Sequence, residues 1–150
     1  ILRSKLLKEW LKGENFNIHT LSSAAFLMES GKIITSNEII KNNFSLYFTQ
    51  LLKENSIIQA EKILFDIDSY KVASLLFKQW LFDDDFIDMI SNISNPQTDE
   101  NKILHVVSTA VSTDGIFEEK NIDESVKLLN NYEFNTDNFI KAVNIAKENL

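Results

Sequence analysis

The chain has 150 residues, 44% apolar and 25% charged, with 15 Lys and Arg against 22 Asp and Glu for a net charge of −7. That length and balance suit about one globular domain with a single core, and they exclude a disordered chain. The acidic sign leaves no basic stripe for nucleic-acid binding, and the absence of Cys excludes disulfide frameworks and thiolate metal sites.

No apolar run approaches the ~20 residues that a membrane-spanning helix needs, and no signal-peptide pattern is evident. A cysteine-free chain suits a reducing compartment, so the expected location is cytoplasmic. The first residue is Ile1 rather than Met, so the expectation is a fragment of a longer protein. Three Gly and one Pro give few turn signals, which favours helices.

Leu2, Leu6, Leu7, Trp10 and Leu11 recur at helical spacing over residues 1–12, with Gly13 placed as a left-handed cap. On that helix Lys5, Lys8 and Lys12 are diluted by Glu9 and Glu14. A second helix is expected after Thr20, through Leu21, Ala24, Ala25, Leu27 and Met28, closed by Ser30-Gly31. Ser36 or Asn37 is expected to cap a short helix holding Ile39 and Ile40.

Residues 44–55 form the next, with Phe44, Tyr47, Phe48, Leu51 and Leu52 on one face, and residues 57–65 another, ending before Asp66. Asp68 caps the strongest helix, SYKVASLLFKQW, whose Val72, Leu75, Leu76 and Trp80 share a stripe. Burial of Val72, Leu76 and Trp80, against the Leu27 helix and the Ile103–Val107 stripe, is the expectation. Asp83-Asp84-Asp85 opens a helix carrying Phe86, Ile87, Met89, Ile90 and Ile93, stopped at Asn95-Pro96.

Residues 98–112 follow as a helix striped by Ile103, Val106, Val107, Ala110 and Val111, where dense β-branching keeps a strand open as the alternative. Asp114-Gly115 turns the chain, and residues 121–130 and 136–149 supply two closing helices. No internal repeat, linker or domain boundary stands out.

Few residues carry chemistry. His19 and His105 are far apart and have no companion at ligand spacing. There is no G-x-S-x-G nucleophile motif and no Gly-rich phosphate loop. Asp83, Asp84 and Asp85 read first as a helix start that complements the macrodipole and only second as a Mg²⁺ cluster; Asp66 and Asp68 are read likewise. The run from Asp114 to Glu119 lacks the alternating ligands of a calcium loop. Phe82, between the tryptophan helix and three acids, is the aromatic expected to stay partly exposed.

Several stretches together resemble the HDOD domain, a helical relative of the HD phosphohydrolases found in bacterial signalling proteins. Residues 66–96, DIDSYKVASLLFKQWLFDDDFIDMISNISNP, match its acid-capped helix with a small residue, paired leucines and a tryptophan. An acidic joint and a helix ending at a Pro then follow. AAFLMESGKIIT is similar to the family's Leu-Leu-His-Asp-Ile-Gly-Lys segment, and ILHVVSTAV at 103–111 to the helix that follows.

The resemblance implies an all-α, single compact helical bundle of the HD/HDOD type. Residues 1–150 would form the C-terminal portion of one such domain, without the segment that precedes it in the family. Laid on the catalytic pattern, the His-Asp pair falls on Met28 and Glu29, and the next His on Ser69. The His-His pair falls on Ile93 and Ser94, and the closing Asp near Ser108. Only Glu29 among these suits a hard cation, so no metal, cofactor or catalysis is expected.

Gly31 and Lys32 are retained and read as a helix stop kept for backbone geometry. The implied function is a non-catalytic signalling domain that binds a protein partner, with a small-molecule or nucleotide ligand in second place. The alternatives are a divergent HD-type metal-dependent phosphohydrolase using His105, Asp114, Glu118 and the acid cluster, or a nucleotide-sensing pocket lined by Met28, Ser69 and Ser108.

Overall fold

The computed structural model describes residues 1–113 and 115–148. These hold α1 (Leu2–Trp10), α2 (Ile18–Leu27), α3 (Ser30–Lys41), α4 (Ser45–Leu51), α5 (Ile57–Phe65) and α6 (Ser69–Gln79). After them come α7 (Asp84–Ser91), α8 (Asp99–Ala110), β1 (Val111–Ser112), β2 (Gly115–Ile116), α9 (Glu119–Asn131) and α10 (Thr136–Glu148). The fold is all-α, and no helix among the described residues is long and apolar enough to cross a membrane. The chain divides into two compact units, one of residues 1–26 with 96–150 and one of residues 27–95.

In the first unit α1 lies against α10 and α8, and α8 against α9. Its core buries Leu6, Leu7 and Trp10 on one face of α1, as the spacing predicts. Trp10 meets Phe139 edge-on at 5.2 Å between ring centroids. The β-branched end of α8 does turn into strand, but only for two residues, paired antiparallel with β2. Arg3 reaches from α1 to donate two hydrogen bonds, at 3.0 and 2.6 Å, to the Val111 carbonyl. Of the expected turn, Asp114 lies outside the described residues, as does Asn149 at the end of the last expected helix.

In the second unit α3 packs on α6, α6 on α7, and α4 bridges α3 and α5. Three expectations change here. Gly31 does not stop a helix: it lies in the first turn of α3, which begins at Ser30 and runs unbroken through Ser36 and Asn37. A Cβ at Gly31 would collide with the Ser69 carbonyl oxygen and stand 2.8 Å from the Ala73 amide nitrogen, so glycine is what lets α3 and α6 touch backbone to backbone.

The buried face of α6 is also different. Ser69, Tyr70, Ala73, Ser74 and Phe77 are inside, Val72 and Leu76 are half-buried, and Trp80 is exposed. The helix carries two apolar stripes, and the one with small residues wins because Ala73 and Ser74 permit the close approach that Gly31 completes. Finally, α4 is a seven-residue helix with no buried side chain, so its aromatic stripe of Phe44 and Tyr47 is not core.

The left-handed positions that end three of the helices hold ordinary residues in place of glycine. Asn43, Leu81 and Glu133, with φ of 60°, 60° and 61°, follow α3, α6 and α9. In each case the next amide returns to the helix five residues back: Phe44 to Ile39, Phe82 to Phe77 and Phe134 to Leu129, at 2.9, 3.1 and 2.9 Å. That is a Schellman ending with its apolar pair in place, built without glycine.

Candidate functional site

The positions that the family pattern would use for metal converge in part on the N-terminal end of α6. Asp68 caps that helix as expected, its Oδ1 accepting the Lys71 amide at 2.9 Å. Its Oδ2 accepts the Ser94 hydroxyl at 2.5 Å and lies 3.3 Å from the Lys62 ammonium. Lys62 in turn donates to Ser94 Oγ at 3.1 Å. Asp68 is buried, so this charge is paired and hydrogen-bonded as a buried carboxylate must be.

Beside it lies a second buried carboxylate, Glu61 of α5. Oε1 accepts the Thr35 hydroxyl of α3 at 2.8 Å, and Oε2 accepts the backbone N–H of Ser69 at 2.8 Å. One side chain thus ties α3, α5 and α6 together and places a negative charge at the start of α6, where the helix dipole favours it.

Glu61, Thr35 and Lys62 escaped the sequence reading. The usable signal was Glu61 itself, a carboxylate on the stripe Ile57, Ala60, Glu61, Leu64, where a charge is out of place unless bonded.

The six positions fare differently. Met28 and Ile93 are fully buried apolar residues. Glu29 precedes α3 without capping it and pairs with Lys32 at 2.5 Å. Ser69 is fully buried against Gly31, and its hydroxyl has no hydrogen-bond partner among the described residues. Ser94 belongs to the Asp68 cluster. Ser108 falls in the first unit, on α8, donating to the His105 carbonyl at 2.8 Å.

Among the described residues no three His, Cys, Asp or Glu side chains are grouped as metal ligands. Of the alternative ligand set, His105 shares a 2.8 Å hydrogen bond with the Tyr132 hydroxyl and Glu118 precedes α9; Asp114 lies outside the described residues. Burial pushes the Tyr132 phenol above its ordinary pKa, and the Lys102 ammonium draws it partly back.

No family model matches the chain, and no curated protein matches it. Among solved structures, it is similar to a virulence factor from Campylobacter jejuni subsp. jejuni, with a TM-score of 0.72 and 25% sequence identity. That likeness covers 99% of this chain and 60% of the neighbour, so the chain spans less than two thirds of the neighbour's length.

Proposed function

We propose that this chain is an HDOD-like, non-catalytic signalling domain of a bacterial cytoplasmic protein, acting by binding a protein partner. The observation that carries this reading is the use made of the would-be metal site. Gly31 is pressed against Ser69, Met28 is core, and the buried carboxylates Glu61 and Asp68 spend their oxygens on backbone amides, hydroxyls and an ammonium. Dinuclear water activation wants His and Asp ligands held open to substrate. The structural likeness to a Campylobacter protein supports the bacterial setting.

Purified protein given Mn²⁺ or Mg²⁺ is expected to leave nucleotides, cyclic dinucleotides and simple phosphoesters intact. Metal-dependent turnover that Glu29→Ala abolishes would overturn the reading.

One observation favours a ligand-sensing version of the same domain: the buried, unpartnered Ser69 hydroxyl beside Gly31, a polar group that normally finds a partner. A nucleotide screen by thermal shift separates the two, since a ligand at ~100 times its Kd stabilises the fold by about 2.7 kcal/mol. A flat screen leaves the protein-binding reading.

A further inference from the structure

The C-terminal end of α6 joins exposed apolar side chains to a ring cluster anchored in the core. Trp80 and Leu81 are 58% and 90% exposed, and Phe82 is exposed beside them. They are not loosely held. Phe77, fully buried, stands 6.0 Å from Trp80, 5.0 Å from Phe82 and 5.8 Å from Phe86, centroid to centroid. Phe82 and Phe86 are 5.3 Å apart. A four-ring cluster therefore runs from the core to the surface and fixes Trp80 in place, with Leu81 held in the left-handed region.

Charge completes the picture. Between residues 78 and 88 a single cation, Lys78, faces Asp83, Asp84, Asp85 and Asp88. Asp83, Asp84 and Asp85 are exposed, and none of these three forms an ion pair among the described residues.

We infer that this α6–α7 corner docks a cationic amphipathic helix of a partner protein, with Trp80 and Leu81 as anchors and Asp83–Asp85 as the matching rim. Aromatic anchors held rigid before binding lose little freedom on contact, and a Trp ringed by weaker polar contacts is the usual make-up of an energetic centre. Leu81 is a knob of the kind a facing helix receives between its side chains. The corner offers no strand edge, whereas a helix can set an apolar stripe on Trp80 and Leu81 with its flanking cations toward Asp83, Asp84 and Asp85. Anionic lipid and nucleic acid are repelled by Asp83, Asp84 and Asp85. A two-fold contact with a second copy would bring the same three against one another, in a chain already at −7.

The inference rests on the protein-binding reading but fails separately from it. Turnover with metal ends that reading, whereas a silent corner in an inactive protein only moves the interface elsewhere. The probe is a synthetic Leu–Lys peptide of about 18 residues, five helical turns with an apolar stripe. Its controls are the Leu–Glu peptide of the same period and a scrambled Leu–Lys peptide.

The basic helix is expected to shift Trp80 emission to the blue and shield it from acrylamide, with buried Trp10 as a constant background. By calorimetry, Trp80→Ala and Leu81→Ala should each weaken binding at least about tenfold. Replacing Asp83, Asp84 and Asp85 together by Asn should weaken it by a factor that shrinks as salt rises. These sites are exposed, so the variants should melt with the parent. Absence of binding, equal binding of either control peptide, or an affinity indifferent to Trp80→Ala would overturn the inference. So would self-association that Trp80→Ala abolishes, because the occupant would then be a second copy.

Discussion

At its first residue α6 is enclosed: Asp68 and Glu61 are buried, each carboxylate oxygen accepts a hydrogen bond, and Gly31 is pressed on the backbone. Eleven helical residues later the same element finishes in Trp80, Leu81 and Phe82, apolar side chains exposed to water beside Asp83, Asp84 and Asp85, which form no ion pair among the described residues. The ordinary arrangement, apolar inside and charge outside, is inverted at both ends. Buried charge is tolerated at the first because hydrogen bonds and a helix dipole compensate it. Exposed aromatic surface at the second lies beside a row of carboxylates, which distinguishes it from the exposed Phe44 and Tyr47 near α4.

The contrast can be broken first at Phe77, the residue on which the exposed cluster rests. Phe77→Ala should cost about 3–5 kcal/mol by cavity formation. Leu76→Ala, half-buried, should cost clearly less, and urea unfolding that ranks them the other way would restore the stripe expected from sequence.

Gly31→Ala comes next, at about 1–3 kcal/mol, since the new methyl must push α3 from α6. Helix propensity alone favours Ala over Gly by about 1 kcal/mol, so a loss of stability isolates the packing effect. A stabilised variant would mean the two backbones can part without penalty.

The smallest effect has the opposite sign. Leu81→Gly should stabilise the fold by about 0.5–1 kcal/mol, because glycine enters the left-handed region without steric cost. The same change should weaken the basic helix at the corner, so a rise in melting temperature with loss of binding would sharpen the contrast.

Much of the fold is legible from residues. The helix of residues 57–65 and the Asp68 cap appear as expected, whereas α7 ends at Ser91, short of Ile93 and the expected stop at Asn95-Pro96. These are local signals, carried by periodicity and by a side chain's reach to its own backbone. What failed was tertiary. Gly31 read as a terminator because glycine usually is one, while its real role depends on Ser69 and Ala73 of another helix. Trp80 read as core because it is large and apolar, whereas Ala73 and Ser74 decide which face of α6 can approach a neighbour.

The site divides the same way. Met28 and Ile93 are buried, as their apolar side chains imply. Glu61 was invisible as a partner of Thr35 and Ser69, which stand 26 and 8 positions away.

Glu61 also offers the most direct test that the buried corner at the start of α6 serves as scaffold. A carboxylate kept for function at the expense of folding can be replaced by an apolar side chain with no loss, and often with a gain. A carboxylate kept as a structural tie cannot, because the Ser69 N–H stays buried without an acceptor. Urea unfolding of Glu61→Leu should therefore show a loss of about 1–3 kcal/mol. Glu61→Gln should fall between it and the parent, its amide oxygen taking the Ser69 N–H while the Thr35 hydroxyl turns to accept from its NH₂. A Glu61→Leu protein as stable as the parent, or more so, would contradict the account.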